Sequence, residues 1–433
     1  MNERVADVIV IGAGAAGLSA AAKISAGGVR TVVLEARARL GGRIWTERAV
    51  GWPRPIELGA EFIHGGNRPL WSLMRSARVR RETVINQHWL VEHGVRQNLP
   101  DAWERIDAVM KQIGPRFDGS FSEWLQQNGG AIEHRDRALA TAFVQGFQGA
   151  PLNRMSAPTL FEATKKAEEQ FRVVSGYDAL ATTLAKRLRR QSVEVRLQTV
   201  VTDVRWKRGA VSVVSQNNSW NAAAVLITVP LGVLRARAGE TGAIRFDPGL
   251  IAKHRLWRSI ESGHAIRLVL RLRGDAWRRG VIPLELRANS GRALGFLHSH
   301  EPDFPVWWAE TPSPILVGWT GGPAAARMAG WTPARIFKTG RRTLARLLGC
   351  GDAALEKSIV DWRTHNWAAD PFTRGAYSFS TAGHENAPDE LARPVVNTLF
   401  FAGEATAEPL ELGTVHGAIA SGERAAREIL KAI

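Results

Sequence analysis

The chain has 433 residues, 45% of them apolar and 23% charged, a globular composition too long for one hydrophobic core, so two domains are expected. Its formal charge is +16, but the basic residues are mostly arginines spread along the chain, with no zinc motif, RNP motif or basic tail, which argues against nucleic acid as the partner. The single cysteine, Cys350, excludes an internal disulfide and fits a reducing, cytoplasmic setting, and no uninterrupted apolar run is long enough to span a membrane.

The first predicted element is a strand, Val8-Ile9-Val10-Ile11, which runs into Gly12-x-Gly14-x-x-Gly17 and a helix opened by Ala15 and Ala16. Gly12 allows the tight turn, Gly14 lets backbone approach a pyrophosphate, and Gly17 lets the helix pack close to the strand. The helix N-terminus offers free N–H groups and a positive dipole end to phosphates. A second strand from Thr31 ends at Glu35, 23 positions after Gly12, where a carboxylate can bond a ribose hydroxyl; Ala36 and Arg37 follow. A second glycine pair, Gly41-Gly42, precedes Arg43, whose guanidinium is a fixed fork of donors. Together these parts point to a bound dinucleotide.

From about Trp71 to Ser175 the pattern reads as helical, with stretches at 102–113 and 137–148. Clusters such as Arg78-Val79-Arg80-Arg81 and Arg341-Arg342 read as solvated faces. Residues 171–188 read as strand, turn and helix. Short strands follow at 193–197, 200–206, 210–214 and 224–229. An alternating strand spans 266–272, a Trp-rich region runs through Trp319, and a helix covers 333–348. The strand 398–402 leads to Gly403 and the acid Glu404. A last helix begins near Thr414, after Gly413, with Val415 and Ala418 in its first turns. Such a helix would aim its N–H groups and dipole at a ring that gains negative charge on reduction.

Several of these motifs resemble the flavin-containing amine oxidase family, in its monoamine oxidase and polyamine oxidase group. Glu35 to Arg43 is similar to that family's extended FAD fingerprint. Glu57-Leu58-Gly59-Ala60-Glu61-Phe62-Ile63-His64 is similar to its motif beside the active site. Phe401-Ala402-Gly403-Glu404 and Gly413-Thr414-Val415-His416-Gly417-Ala418 are similar to its C-terminal flavin motif, in a version nearer polyamine oxidases and histone-lysine demethylases. No long helical insertion of the demethylase kind is present. Val201 matches the position whose backbone holds the adenine end.

The resemblance implies an α/β protein: a Rossmann-like FAD-binding domain from residues 1–75, 177–255 and 370–433, interleaved with a mixed α+β substrate-binding domain from 76–176 and 256–369. It implies oxidation of a small-molecule amine to an imine by hydride transfer to flavin, with O2 as electron acceptor; the alternatives are a flavin-dependent dehydrogenase or desaturase acting on a non-amine substrate, and a flavin-bound protein of low turnover because Arg267 replaces the family lysine. It places Trp367 and Tyr377 at the flavin, with Thr414 where a second cage aromatic often stands. It places Ala376 where some members carry the cysteine that links covalently to FAD, so non-covalent FAD is expected. Glu61 and His64 lie in the motif beside the site, with His64 either touching substrate or acting as a structural histidine.

Arg267 departs from the family pattern, which presents a lysine on this strand. An arginine stays protonated and cannot serve as a base. The alternative reading makes Arg267, Arg271 and Arg273 one solvent face of an alternating strand. Trp307 and Trp308 read as a buried pair in preference to cavity lining. Polyamines are disfavoured by the +16 charge and the lack of an evident acidic channel. No metal-ligand spacing is evident.

Overall fold

The computed structural model describes residues 6–165, 169–216, 218–274, 276, 281–283, 295–309 and 313–433. Part of the Trp-rich region before Trp319 lies outside these residues.

Four-residue runs of β-branched and apolar side chains form the centre of a parallel five-stranded sheet. Its order is Glu194–Arg196, Thr31–Leu34, Val8–Ile11, Ala224–Ile227, Leu399–Phe401. Val8–Ile11 and Ala224–Ile227 are buried throughout, as strands covered on both faces must be. One face carries helix Ala15–Ala26, packed against Asp178–Arg190 and the final helix Val415–Ala432. The other face packs against a four-stranded sheet in the order Ser219–Ala222, Ala210–Ser215, Val201–Lys207, Arg245–Asp247. The segments of this half come from the start, middle and end of the chain.

The other half is built on a mixed seven-stranded sheet. Its order is Ile359–Asn366, Ala265–Leu272, Ile315–Gly321, Val306–Ala309, Phe296–Ser299, His88–Glu92, Val95–Asn98. Helix Pro333–Leu348 covers one face with a buried apolar stripe. Helices Ala102–Lys111, Phe121–Asn128 and His134–Gly146 form a separate core beside it.

Two sequence expectations need correction here. The region 71–175 is not helical throughout: Arg81–Thr83, His88–Glu92 and Val95–Asn98 are strands. Their apolar runs are too short to show a period, and pairing with distant strands decides them. Arg341 is not solvated but 6% exposed, with Nε 2.8 Å from Asp352 Oδ1. Arg78, Arg80, Arg81 and Arg342 are exposed.

Candidate active site

One cavity of about 950 Å³ runs from the parallel sheet to the seven-stranded sheet. It has a nucleotide end, an inner end and an outer stretch.

At the nucleotide end Gly12 has φ +104°, a left-handed turn that a side chain would strain. Gly17 does not line the cavity. Its role is packing: a Cβ there would lie 2.0 Å from the carbonyl oxygen of Gly12. Gly14, Ala15 and Ala16 open the helix at the cavity wall. The second glycine pair is tied to the first, because Gly41 N–H donates to Ala13 O at 2.9 Å. A Cβ on Gly42 would meet Gly14 Cα at 3.3 Å. Glu35 is 4% exposed and accepts from Ala13 N–H at 2.7 Å and Arg37 N–H at 2.9 Å. Ala36 and Val201 also line this end.

Arg43 joins three distant stretches. Its Nη1 donates to Ala376 O at 2.7 Å and lies 2.8 Å from Glu404 Oε1. Glu404 in turn accepts from Ser378 N–H at 3.1 Å. Gly403 N–H is held by Ser421 Oγ at 3.0 Å. Gly413 has φ +75°, and Thr414 caps the final helix: its Oγ1 accepts from Gly417 N–H at 3.0 Å and donates to Glu411 O at 2.6 Å. The start of that helix, with Val415 and Ala418, faces the same cavity.

The wall opposite is aromatic, and backbone carbonyls fix its rings. Trp367 Nε1 donates to Leu58 O at 2.9 Å, Tyr377 OH to Phe147 O at 2.6 Å, and Trp319 Nε1 to Gly146 O at 2.9 Å. Burial raises the Tyr377 phenol well above its usual range, so it stays neutral. Leu58, Gly59 and Ala60 form the loop between these rings and Arg43. Gly59 is required there, since a Cβ would lie 1.9 Å from Arg43 O.

The inner end holds a buried charge cluster. Arg267 is 2% exposed, and its Nη2 lies 2.5 Å from Glu61 Oε2. Arg172 Nε donates to Glu61 Oε1 at 2.6 Å, and Trp308 Nε1 approaches the same oxygen at 3.3 Å. Burial alone would raise the Glu61 carboxyl, but Arg267 and Arg172 hold it below its ordinary value. Glu57, behind it, is pushed up to about 8 by burial, against hydrogen bonds from Tyr177 N–H and Thr46 Oγ1 at 2.7 Å each. The solvent-face reading of the arginine strand is therefore corrected: only Arg273 is exposed, Arg271 is half-buried, and Arg267 points into the cavity wall. Trp307 and Trp308 are both buried but separate by strand alternation. Trp307 donates to Phe304 O at 2.9 Å within the core, whereas Trp308 lines the cavity.

His64 presents its ring to the cavity, where surrounding protein lowers its pKa to about 4. The ring is solvent-accessible where it opens to the cavity, and the protein packed around it disfavours the charged form.

The outer stretch corrects one more expectation. Glu104 and Asp107 of helix Ala102–Lys111 and Glu169 line the cavity, so acidic side chains do border it. Glu104 and Asp107 sit one turn apart on that helix, and Glu169 joins them in one lining only on folding. Sequence reasoning also missed Thr228, whose Oγ1 donates to Ile11 O at 2.8 Å beneath the first turn. It missed Asp370, which pairs with Arg37 at 2.6 Å. Burial would raise the Asp370 carboxyl, but His365 and Arg37 hold it far below the usual range. The acid in Trp367-Ala-Ala-Asp370 was the available signal.

Among the described residues no group of three or more metal-ligating side chains occurs, and no helix is long and apolar enough to cross a membrane.

Comparison with known proteins decides the family. Residues 15–430 match the model for flavin-containing amine oxidoreductases. The chain belongs to this family. It is an FAD-dependent amine oxidoreductase. It is 27% identical to polyamine oxidase 2 of Arabidopsis thaliana, over 99% of this chain and 89% of that protein. It is also 27% identical to lysine-specific histone demethylase 1 homolog 2 of Arabidopsis thaliana, over 98% of this chain but 58% of that protein. Among solved structures, putrescine oxidase bound to putrescine superposes with a TM-score of 0.79 at 21% identity, covering 98% of this chain and 99% of that one. Cyclohexylamine oxidase from Brevibacterium oxydans IH-35A gives 0.77 at 20% identity, with the same coverage.

Proposed function

We propose that this oxidoreductase converts an amine to an imine by hydride transfer from the carbon bearing nitrogen, with dioxygen as final acceptor, giving hydrogen peroxide. The observation that carries the reading is the convergence of residues 41–43, 376–378 and 403–404 on one hydrogen-bonded tie at the junction of the glycine-lined and aromatic parts of the cavity. The residues fit FAD. Gly12, Gly14, Gly41 and Gly42 leave backbone open to a pyrophosphate, Glu35 stands at the ribose position, Val201 lies at the adenine end, and Gly413–Ala418 form a helix start at the ring end. FAD, when bound, supplies the hydride acceptor. The chain has one cysteine, Cys350, which packs beside the other half of the molecule, and Ala376 lines the cavity, so attachment is non-covalent.

The protein's own part is to hold a neutral amine in place. Tyr377, Trp367 and Trp319 make a dry wall whose rings cannot rotate away from their carbonyl partners. Removing water lowers an amine's pKa, so desolvation there favours the reactive free base. Thr414, whose hydroxyl caps the final helix, lines the same cavity as Tyr377 and adds no second aromatic ring to it. Arg267 remains a cation and takes no proton from substrate. When the hydride leaves, the nitrogen lone pair forms the C=N bond, and water later converts the imine to a carbonyl compound and a shorter amine or ammonia. Glu104 and Glu169 offer carboxylates on the outer lining that an ammonium ion can meet before it loses its proton, while Asp107 is paired with Lys111 at 2.8 Å.

Anaerobic mixing of the FAD-loaded protein with a panel of mono-, di- and polyamines tests the reading. Loss of the flavin absorbance, followed by peroxide when air is admitted, is the expected result. Bleaching that air does not reverse would replace the oxidase with a dehydrogenase. No bleaching with any amine would remove the catalytic assignment.

A further inference from the structure

We propose that Glu61 is a positioning residue: it fixes the Arg267 guanidinium at the inner end of the cavity and sets the net charge that the cofactor ring meets there. This rests on the reading of the cavity as a flavin site. Arg267 lies two residues beyond Ala265 on strand Ala265–Leu272, so the two share a face. Ala265 packs with Trp367, Ala376 and Tyr377, which turns that face toward the ring end of the cavity. Arg267 therefore borders this space, and Glu61 borders it too.

Glu61 has both oxygens engaged. Oε2 pairs with Arg267 at 2.5 Å, and Oε1 accepts from Arg172 at 2.6 Å. The side chains of Glu61 and Arg267 are each 3% exposed and that of Arg172 is 13% exposed, so water screens them little. The Arg172 guanidinium also stacks over Phe62 at 4.9 Å, and that of Arg267 lies 5.5 Å from the Trp308 ring centre. These rings hold the two cations on opposite sides of one carboxylate. Two guanidinium groups face one carboxylate, with Glu57 protonated behind them at neutral pH, so the cluster carries one net positive charge. Without Glu61 these groups would carry two, and Arg267 would lose a carboxylate that orients it. A ring that gains negative charge on reduction is stabilised by such a field, so Glu61 tempers that stabilisation.

The test measures the two-electron midpoint potential of the FAD-loaded protein against an equilibrating dye. Glu61→Gln should favour the reduced form by about tenfold, an upward shift of about 30 mV. Arg172→Gln removes one positive charge and should move the potential the other way. In an Arg267→Met background the Glu61→Gln shift should be smaller, because only the direct charge of the carboxylate remains and the part that acts by placing Arg267 is lost. An unchanged potential in Glu61→Gln overturns the proposal, as does an equal shift with and without Arg267. Should Glu61→Gln fail to hold FAD, Arg172→Gln and the charge-conserving Glu61→Asp decide. A downward shift in the first, with a near-native potential in the second, supports the role, and any other pattern overturns it. Amine turnover is read separately: a wild-type protein that no amine reduces sinks the function proposed above, while the potentials still judge Glu61.

Discussion

The two ends of the cavity solve different physical problems. The nucleotide end is held by backbone. Glycine turns, helix N-termini and two buried carboxylates would, in the function proposed, meet a ligand whose charge never changes. The inner end is held by side chains. Aromatic rings pinned by carbonyls and a buried Glu61–Arg267–Arg172 cluster would, in the function proposed, meet a ring whose charge changes with every turnover. Backbone devices need small residues at fixed spacing. Side-chain devices need partners brought from distant segments, here residues 57–64, 172, 267 and 308. The first kind tolerates little change, while the second can be retuned one residue at a time.

Substitutions can break or sharpen this contrast. The largest effect is expected at Gly17. A Cβ 2.0 Å from Gly12 O cannot be accommodated without moving the turn, so Gly17→Val should yield protein that retains no FAD, read from the absorbance of the purified product. Arg267→Ala should destabilise by about 3 kcal/mol or more, because it strips a buried ion pair of one member. Chemical denaturation of the FAD-free protein measures it, and a cost below about 1 kcal/mol would mean the cluster does not hold the inner wall.

A pH effect comes next. The Glu57 carboxyl is raised to about 8 in the fold, so the folded protein binds its proton more tightly than the unfolded chain does. That stabilisation is complete below the ordinary carboxylate range and is lost as pH rises toward 8. Glu57→Gln should therefore flatten the fall of melting temperature between about pH 5 and pH 8. His64 works in the opposite sense. Its pKa is lowered to about 4, so its contribution is present above its ordinary value and is lost as pH falls toward 4.

Arg43→Lys keeps the charge but replaces the planar guanidinium, whose Nη1 joins Ala376 O to Glu404, with a shorter-reaching ammonium. A roughly tenfold weaker FAD dissociation constant is expected by titration. The smallest change is Tyr377→Phe. It removes one hydrogen bond to Phe147 O and should cost about 1 kcal/mol. An effect on amine KM larger than on stability would show that the ring's orientation, not its packing, matters.

The sequence announced the nucleotide end because turns and helix starts demand particular residues locally. The run from Val8 to Gly17 becomes strand, left-handed turn and helix at the positions the spacing requires. The helix over residues 333–348 was equally plain, with Thr332 as its N-cap and Gly349 left-handed at its end. The strands Arg81–Thr83 and His88–Glu92 were not legible, because they pair with residues 171–173 and 296–299, and Val95–Asn98 follows only as the hairpin partner of His88–Glu92. The split between Trp307 and Trp308 became visible only when their strand acquired two faces.

Local chemistry therefore sufficed for the dinucleotide fold: glycine spacing, apolar runs and the position of an acid depend on neighbours a few residues apart. The charge state of the inner end did not. Whether Arg267 faces solvent or a buried carboxylate, and whether Glu104, Asp107 and Glu169 border one passage, depends on which distant segments share a cavity. Burial and partner distance set those energies, and both exist only once the chain has folded.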